Sequence, residues 1–281
     1  MSGIIERIDY FSCGYCKNKM EQIFRETVNG EIKFPAGVFL IKHRMKGYIL
    51  YDTGYSADIM KNKFHYMIYR IPNPIVMERK MEIQSQLENN GIRKEEIGYI
   101  ILSHLHPDHI GGIKEFPAAK FIITEKCYRE YVNGNLRSLI FKEFFPDDFK
   151  NRLIIINDYE KRRGFPLKVN DLFKDGSLCL TSIDGHAKGQ GCLFINERNL
   201  FIGADVSWGV ELIKLTDKMK LIPRLIQDNF KEYKKGVDIL KKLQKRGIKI
   251  TVSHDPEERI RKILNEKDIY PPVRIYKGKM D

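Results

Sequence analysis

Ser103-His104-Leu105-His106-Pro107-Asp108-His109 decides how this chain reads. Only 7 of its 281 residues are histidine, so His-x-His-x-Asp-His would arise by chance on the order of once in 4,000 such chains. The cluster therefore asks for a chemical reason. The run ahead of it, Tyr99-Ile100-Ile101-Leu102, has the β-branched and aromatic make-up of a buried strand. The histidines then fall in the loop at that strand's C-terminal end. Residues two apart on an extended chain point the same way, so His104 and His106 can grip one ion. Asp108 and His109 turn away and can grip a second. Imidazole combined with carboxylate suits zinc or another borderline divalent metal.

Such a segment supplies at most half of two coordination spheres, so further ligands must lie downstream. His186, in Gly185-His186-Ala187-Lys188-Gly189, follows the strand-like run 177–183, and His254 follows the run 249–252. Asp205 ends the run 200–203, and Asp52 ends the run 48–52. Any one of these alone reads as a cap or turn residue. Five His and three Asp gathered at strand ends read as a dinuclear metal site. Of the other two histidines, His43 lies between Lys42 and Arg44 and reads as a surface residue. His65, between Phe64 and Tyr66, reads as surface or as a substrate contact.

Further strand-like runs at 37–42, 120–124, 153–156 and 191–195 alternate with helical patterns at 76–90, 230–245 and 256–264. That mixture predicts the α/β class. With no internal repeat and no low-complexity linker, residues 1–281 read as a single domain. Two stretches, 55–76 and 208–226, break the pattern by mixing apolar residues with Lys and Pro. They read as lid-like insertions over a pocket, with Phe64, Tyr66, Met67 and Trp208 shaping an apolar slot.

The composition, 42% hydrophobic and 31% charged, is that of a globular protein and excludes disordered, collagen-like and coiled-coil classes. No run of 18 apolar residues is present, so no membrane span is expected. The opening Met1-Ser2-Gly3-Ile4-Ile5-Glu6-Arg7 does not read as a signal peptide, and a soluble, cytoplasmic protein is expected. Five scattered cysteines make no disulfide framework. Cys13-Gly14-Tyr15-Cys16 lacks companion ligands nearby and reads as a pair of buried small thiols. Lys and Arg number 49 against 37 Asp and Glu, a net charge of +12. The plain reading is a lysine-rich solvated surface; the sharper one is attraction for anionic substrates or membrane surfaces. Basic clusters with few aromatics argue against a nucleic-acid partner.

On these motifs the chain resembles the metallo-β-lactamase-fold hydrolases, and within them the N-acyl homoserine lactone lactonases, the quorum-quenching lactonases. The shared order is Asp-Thr-Gly at Asp52, His-x-His-x-Asp-His-x-Gly-Gly from His104, Gly-His at His186, Asp205, and Ser-His-Asp around His254. The resemblance implies an αββα sandwich with two divalent ions at one sheet edge, zinc first, iron or manganese as alternatives. By its pattern His104, His106 and His186 hold the first ion, Asp108, His109 and His254 the second, and Asp205 bridges them. Asp52 orients ligands through hydrogen bonds. The implied reaction opens a lactone or other carboxylic ester through a metal-bridging hydroxide, with Asp108 ferrying the proton to the leaving oxygen.

Two other branches of the fold fit less well. His106 stands where the redox-active di-iron flavoproteins carry Glu, and Asp205 is not the Cys of the β-lactam-hydrolysing branch. One position departs from the lactonases, which carry Tyr three residues after the bridging Asp to hydrogen-bond the substrate carbonyl. Here Trp208 stands there; its indole N–H can donate but cannot give up a proton as a phenol can. The implied partner is a small molecule with an apolar acyl group, and the sequence sets no oligomeric state. Alternatives are a phosphodiesterase or ribonuclease, a thioester hydrolase of the same fold, or a non-catalytic regulatory binding protein.

Overall fold

A computed structural model describes residues 3–162 and 165–264 of the chain. Its first sheet contains β1 (Ile5–Lys19), β2 (Glu31–His43), β3 (Gly47–Tyr51), β4 (Ile75–Val76), β5 (Ile97–Ile101), β6 (Lys120–Thr124) and β7 (Leu153–Ile156). Their spatial order is β4-β1-β2-β3-β5-β6-β7. The second contains β8 (Glu160–Lys161), β9 (Lys168–Asp171), β10 (Leu178–Ser182), β11 (Gly191–Ile195), β12 (Leu200–Ile202) and β13 (Lys249–Thr251), in the order β13-β12-β11-β10-β9-β8.

Side-chain alternation along the strands explains the layering. In β2, Phe39 and Ile41 join one buried cluster while Val38 and Leu40 join another. The first cluster brings Phe39, Ile41, Ile49 and Tyr51 of one sheet against Leu178, Leu180, Leu193 and Ile202 of the other, so the sheets pack face to face. The second cluster lies on their outer faces. There Leu50, Ile100 and Phe121 belong with Ile83 and Leu87 of the helix Ile83–Asn89. Cys192 and Phe201 belong with Tyr233, Val237, Leu240 and Leu243 of the helix Phe230–Lys245. The expected αββα sandwich is the observed fold.

Three local expectations change. The helical pattern at 76–90 resolves into β4, a 3-10 turn at Arg79–Met81 and the shorter helix Ile83–Asn89. The 15-residue β1 went unread, because Ser12, Gly14, Lys17 and Asn18 interrupt its apolar pattern; pairing along β2 holds it extended. His43 is buried, at 1% exposure, rather than on the surface. Its Nε2 lies 3.0 Å from Asp175 Oδ2 and 3.1 Å from Ser177 Oγ, and its Nδ1 accepts from the Met45 and Lys46 amides. Those bonds satisfy a buried ring that its charged sequence neighbours conceal.

Parallel pairing sets where the loops gather. β3 pairs parallel with β5, so the segments after Tyr51 and Ile101 leave from the same edge. β12 pairs parallel with β13, and β11 runs antiparallel to both β10 and β12. The segments after Ser182, Ile202 and Thr251 therefore also share an edge. These five exits carry Asp52, the 103–109 motif, His186, Asp205 and His254.

Candidate metal centre

All eight singled-out side chains are buried at this edge. His106 caps a short helix, Pro107–Ile110, with proline at its first position, where a missing N–H costs nothing. The turn of that helix carries Asp108 and His109 away from His104 and His106, as the sequence spacing required.

The donors fall into two groups, His104 with His106 and His186, and Asp108 with His109, Asp205 and His254. Within the first, His106 Nδ1 lies 3.0 Å from His104 Nε2 and 3.1 Å from His186 Nε2. Within the second, Asp205 Oδ2 lies 2.9 Å from His254 Nε2, and Asp108 Oδ2 lies 3.5 Å from His109 Nε2. Asp205 also reaches the first group, with Oδ2 3.3 Å from His186 Nε2. Four ligands around one zinc at about 2.0–2.1 Å stand roughly 3.3 Å apart, so this spacing fits an ion inside each group.

Two further observations fit. His109 Nε2 and Asp205 Oδ1 are buried without a hydrogen-bond partner and lie 3.5 Å from each other. Buried polar atoms left so are uncommon, and a cation between them accounts for both. The outer ring nitrogens, by contrast, face oxygens. His109 Nδ1 lies 2.8 Å from Asp52 Oδ2, His186 Nδ1 2.8 Å from Gln227 Oε1, and His254 Nδ1 2.7 Å from the Pro35 carbonyl. His104 Nδ1 lies 3.1 Å from Ser103 Oγ. With an ion bound, an N–H donated outward would leave the inner nitrogen's lone pair free for that ion.

Asp52 is held in turn. Its carboxylate accepts from the Ser103 amide and hydroxyl, both at 2.7 Å. Its backbone sits at φ 61°, a left-handed conformation that Asp tolerates better than most side chains.

Electrostatics sort the donors. Burial and the neighbouring His186 push His106 down to about 3, and burial together with His109 pushes His104 down as well. Both rings are neutral donors. Burial works against ionised Asp108, yet the charge of His109 holds its pKa at about 2.

A cavity of about 520 Å³ opens onto both groups, reaching His106, Asp108, His186, Asp205 and His254. Phe34, Leu139, Ile222 and Ile226 give it apolar walls, and Trp208 lines it as expected. Both insertion-like stretches border it, the first through Tyr55, Tyr69, Pro72 and Asn73, the second through Trp208, Lys220, Ile222, Pro223 and Ile226. The helix Phe64–Arg70 nevertheless turns differently from the expectation. Phe64 and Met67 point outward, at 77% and 48% exposure, and Tyr66 is buried against Phe144. None of the three lines the cavity.

Tyr69 takes that role. Its Oη is buried 3.5 Å from Asp108 Oδ1 and 3.5 Å from Tyr55 Oη. Helical spacing could have paired Tyr69 with Tyr66, but nothing local says which face meets the metal edge. His65 is a surface residue beside Glu143. Cys13 and Cys16 are buried free thiols on β1, Cys16 lining the cavity.

A family model of the metallo-beta-lactamase superfamily matches residues 34–246. An N-acyl homoserine lactonase AttM of Rhizobium radiobacter is 24% identical over 264 residues, 89% of this chain and 94% of that relative. The solved structure of AiiA from B. thuringiensis with N-decanoyl-L-homoserine bound at its active site superposes with a TM-score of 0.67. It is 19% identical and covers 92% of this chain and 96% of that one. AidC, a dizinc quorum-quenching lactonase, superposes with a TM-score of 0.65 at 18% identity, covering 89% and 87%. With three quarters of its length inside the family model and its donors gathered at the sheet edge, the chain belongs to the metallo-β-lactamase superfamily.

Proposed function

We propose that the chain is a dinuclear metal-dependent hydrolase that opens lactones or related carboxylic esters bearing an apolar acyl group, N-acyl homoserine lactones being the model substrates. The carrying observation is the apolar cavity that runs directly onto both donor groups. His104, His106 and His186 would hold one ion and Asp108, His109 and His254 the other, with Asp205 shared. The imidazole and carboxylate set favours zinc, with iron or manganese able to replace it. When bound, such a pair supplies Lewis acidity and acidifies a water.

The chain's own residues do the rest. The acyl group lies along Phe34, Leu139, Ile222 and Ile226, which exclude water from it. Water adds to the carbonyl carbon, the ring C–O bond breaks, and Asp108 moves the proton from the attacking water to the ring oxygen. Asp108 would enter the step ionised, since a cation in the neighbouring groups favours its carboxylate form. The Tyr69 hydroxyl and the Trp208 indole N–H are the donors on the cavity wall that orient the ester beside it. All five cysteines are free, which fits the reducing cytoplasm.

The test is proton release from a panel of acyl homoserine lactones by the zinc-loaded protein, with His106→Ala as the metal-poor control. Ring opening should be fast and lost in the control. Tyr69→Phe should keep its metal and lose about tenfold in kcat, since a positioned donor contributes at least that much. Two bound ions without any ring opening would sink the lactone reading.

A further inference from the structure

The surface around the cavity mouth differs from the rest of the molecule. Twelve large apolar side chains are exposed among the described residues, and eight of them lie on the two stretches that border the cavity. Met60, Phe64, Met67, Ile68 and Ile71 come from the first stretch; Leu221, Ile222 and Leu225 come from the second. Phe64 and Ile71 are 77% and 78% exposed, and Ile222, itself on the cavity wall, is 70% exposed. Scattered single apolar residues need no explanation, but such a concentration marks a surface that meets something.

The charge on the same stretches says what. Lys61, Lys63 and Lys218 pair with Asp58, Glu143 and Glu26, and Arg70, Lys214, Lys220 and Arg224 add positive charge against Glu211 and Asp217. Lys220 lies on the cavity rim. A second copy of the chain would bring the same positive charge to meet it, in a protein already at +12. A surface with apolar depth and negative charge satisfies both features.

We propose that this rim docks on anionic phospholipid bilayers, with Phe64, Ile71 and Leu221 entering the interface and the lysines facing the headgroups. The protein would lie on the membrane without spanning it. Where the lactonase reading holds, on which only this consequence rests, the docked mouth would take amphiphilic acyl substrates directly from the bilayer.

The experiment is co-sedimentation of the metal-loaded full chain with phosphatidylcholine vesicles, with and without phosphatidylglycerol. Binding should need the anionic lipid and weaken as salt rises. Lys220→Gln should weaken it about fivefold, the worth of one basic residue near such a surface. The triple variant Phe64→Ser, Ile71→Ser, Leu221→Ser should lose it by tenfold or more. That variant should still hydrolyse a short-chain, water-soluble lactone at the parental rate if the lactonase reading is right. Vesicle binding is read without turnover, so a failed substrate assignment leaves the docking result intact. Absence of binding, or equal binding to neutral vesicles, would overturn the proposal. So would a dimer in solution that the triple variant converts to monomer without any vesicle effect, which would give the patch to a second copy.

Discussion

His254 shows how the site is set at the scale of one side chain. Burial alone would keep its ring neutral, but Asp205 and Asp108, 2.9 and 3.6 Å from Nε2, raise its pKa to about 9. In the metal-free protein the ring therefore keeps a proton well above its usual value near 6.5. Its contribution to stability is complete below that value and is lost as pH rises through about 9. An ion entering the second group must displace this proton. Despite its burial, His109 in the same group is also held protonated by Asp108 and Asp52, so apparent affinity for that ion should rise by at least tenfold per pH unit between pH 7 and 9. Competition against a chromophoric chelator at four pH values measures this, and a flat profile from 7 to 9 would refute it. The gathering of the seven candidate donors and Asp52 was legible because His104, His106, Asp108 and His109 stand at short spacing and the others are His or Asp at the ends of strand-like runs. Their outer partners were less so. The Pro35 carbonyl carries no residue signature at all, and Gln227 lies 41 positions from the ring it faces.

At the scale of elements, the His186 loop depends on a close approach. Gly185 sits at φ 134°, and a Cβ there would fall 2.3 Å from the Tyr233 backbone nitrogen. The loop lies on the start of the helix Phe230–Lys245, where the Asn229 and Asp228 amides donate to the Gly185 and His186 carbonyls. Gly185→Ala would push the loop off that helix and withdraw His186 from its group. Metal analysis should then fall from two equivalents towards one. Asn229→Ala is the control: it removes a side-chain cap worth about 1 kcal/mol without any clash, and should lower Tm while keeping both ions. Equal metal content in the two variants would show that the close approach does not position His186. The elements themselves were readable where the local apolar pattern is strong. The runs at Lys120–Thr124, Leu153–Ile156 and Gly191–Ile195 and the helix Phe230–Lys245 have the bounds their patterns gave. β1 was not, since its extension comes from partners far along the chain.

At the scale of the molecule, the two sheets meet through an apolar cluster, but their shared edge is closed by buried polar side chains. Three neutral imidazoles converge with neighbouring nitrogens about 3 Å apart, and two carboxylates face two histidines, on segments leaving β5, β10, β12 and β13. Such an arrangement is costly unless cations fill it, because each buried donor needs a partner. The ions should therefore act as staples between the sheets, binding the native state and not the unfolded chain. At a free concentration about 1,000 times Kd, each site adds about 4 kcal/mol to stability. For a domain of this size 1 kcal/mol moves Tm by roughly 2–4 °C, so stripping both ions should lower Tm by roughly 15–30 °C. Calorimetry with and without chelator, followed by zinc titration back to two equivalents, measures the loss and its recovery. His106→Ala, which removes one donor from the first group only, should recover part of the Tm and hold fewer ions. A Tm unmoved by chelation would mean that the edge closes without metal, and that the histidine lone pairs are satisfied by protons instead.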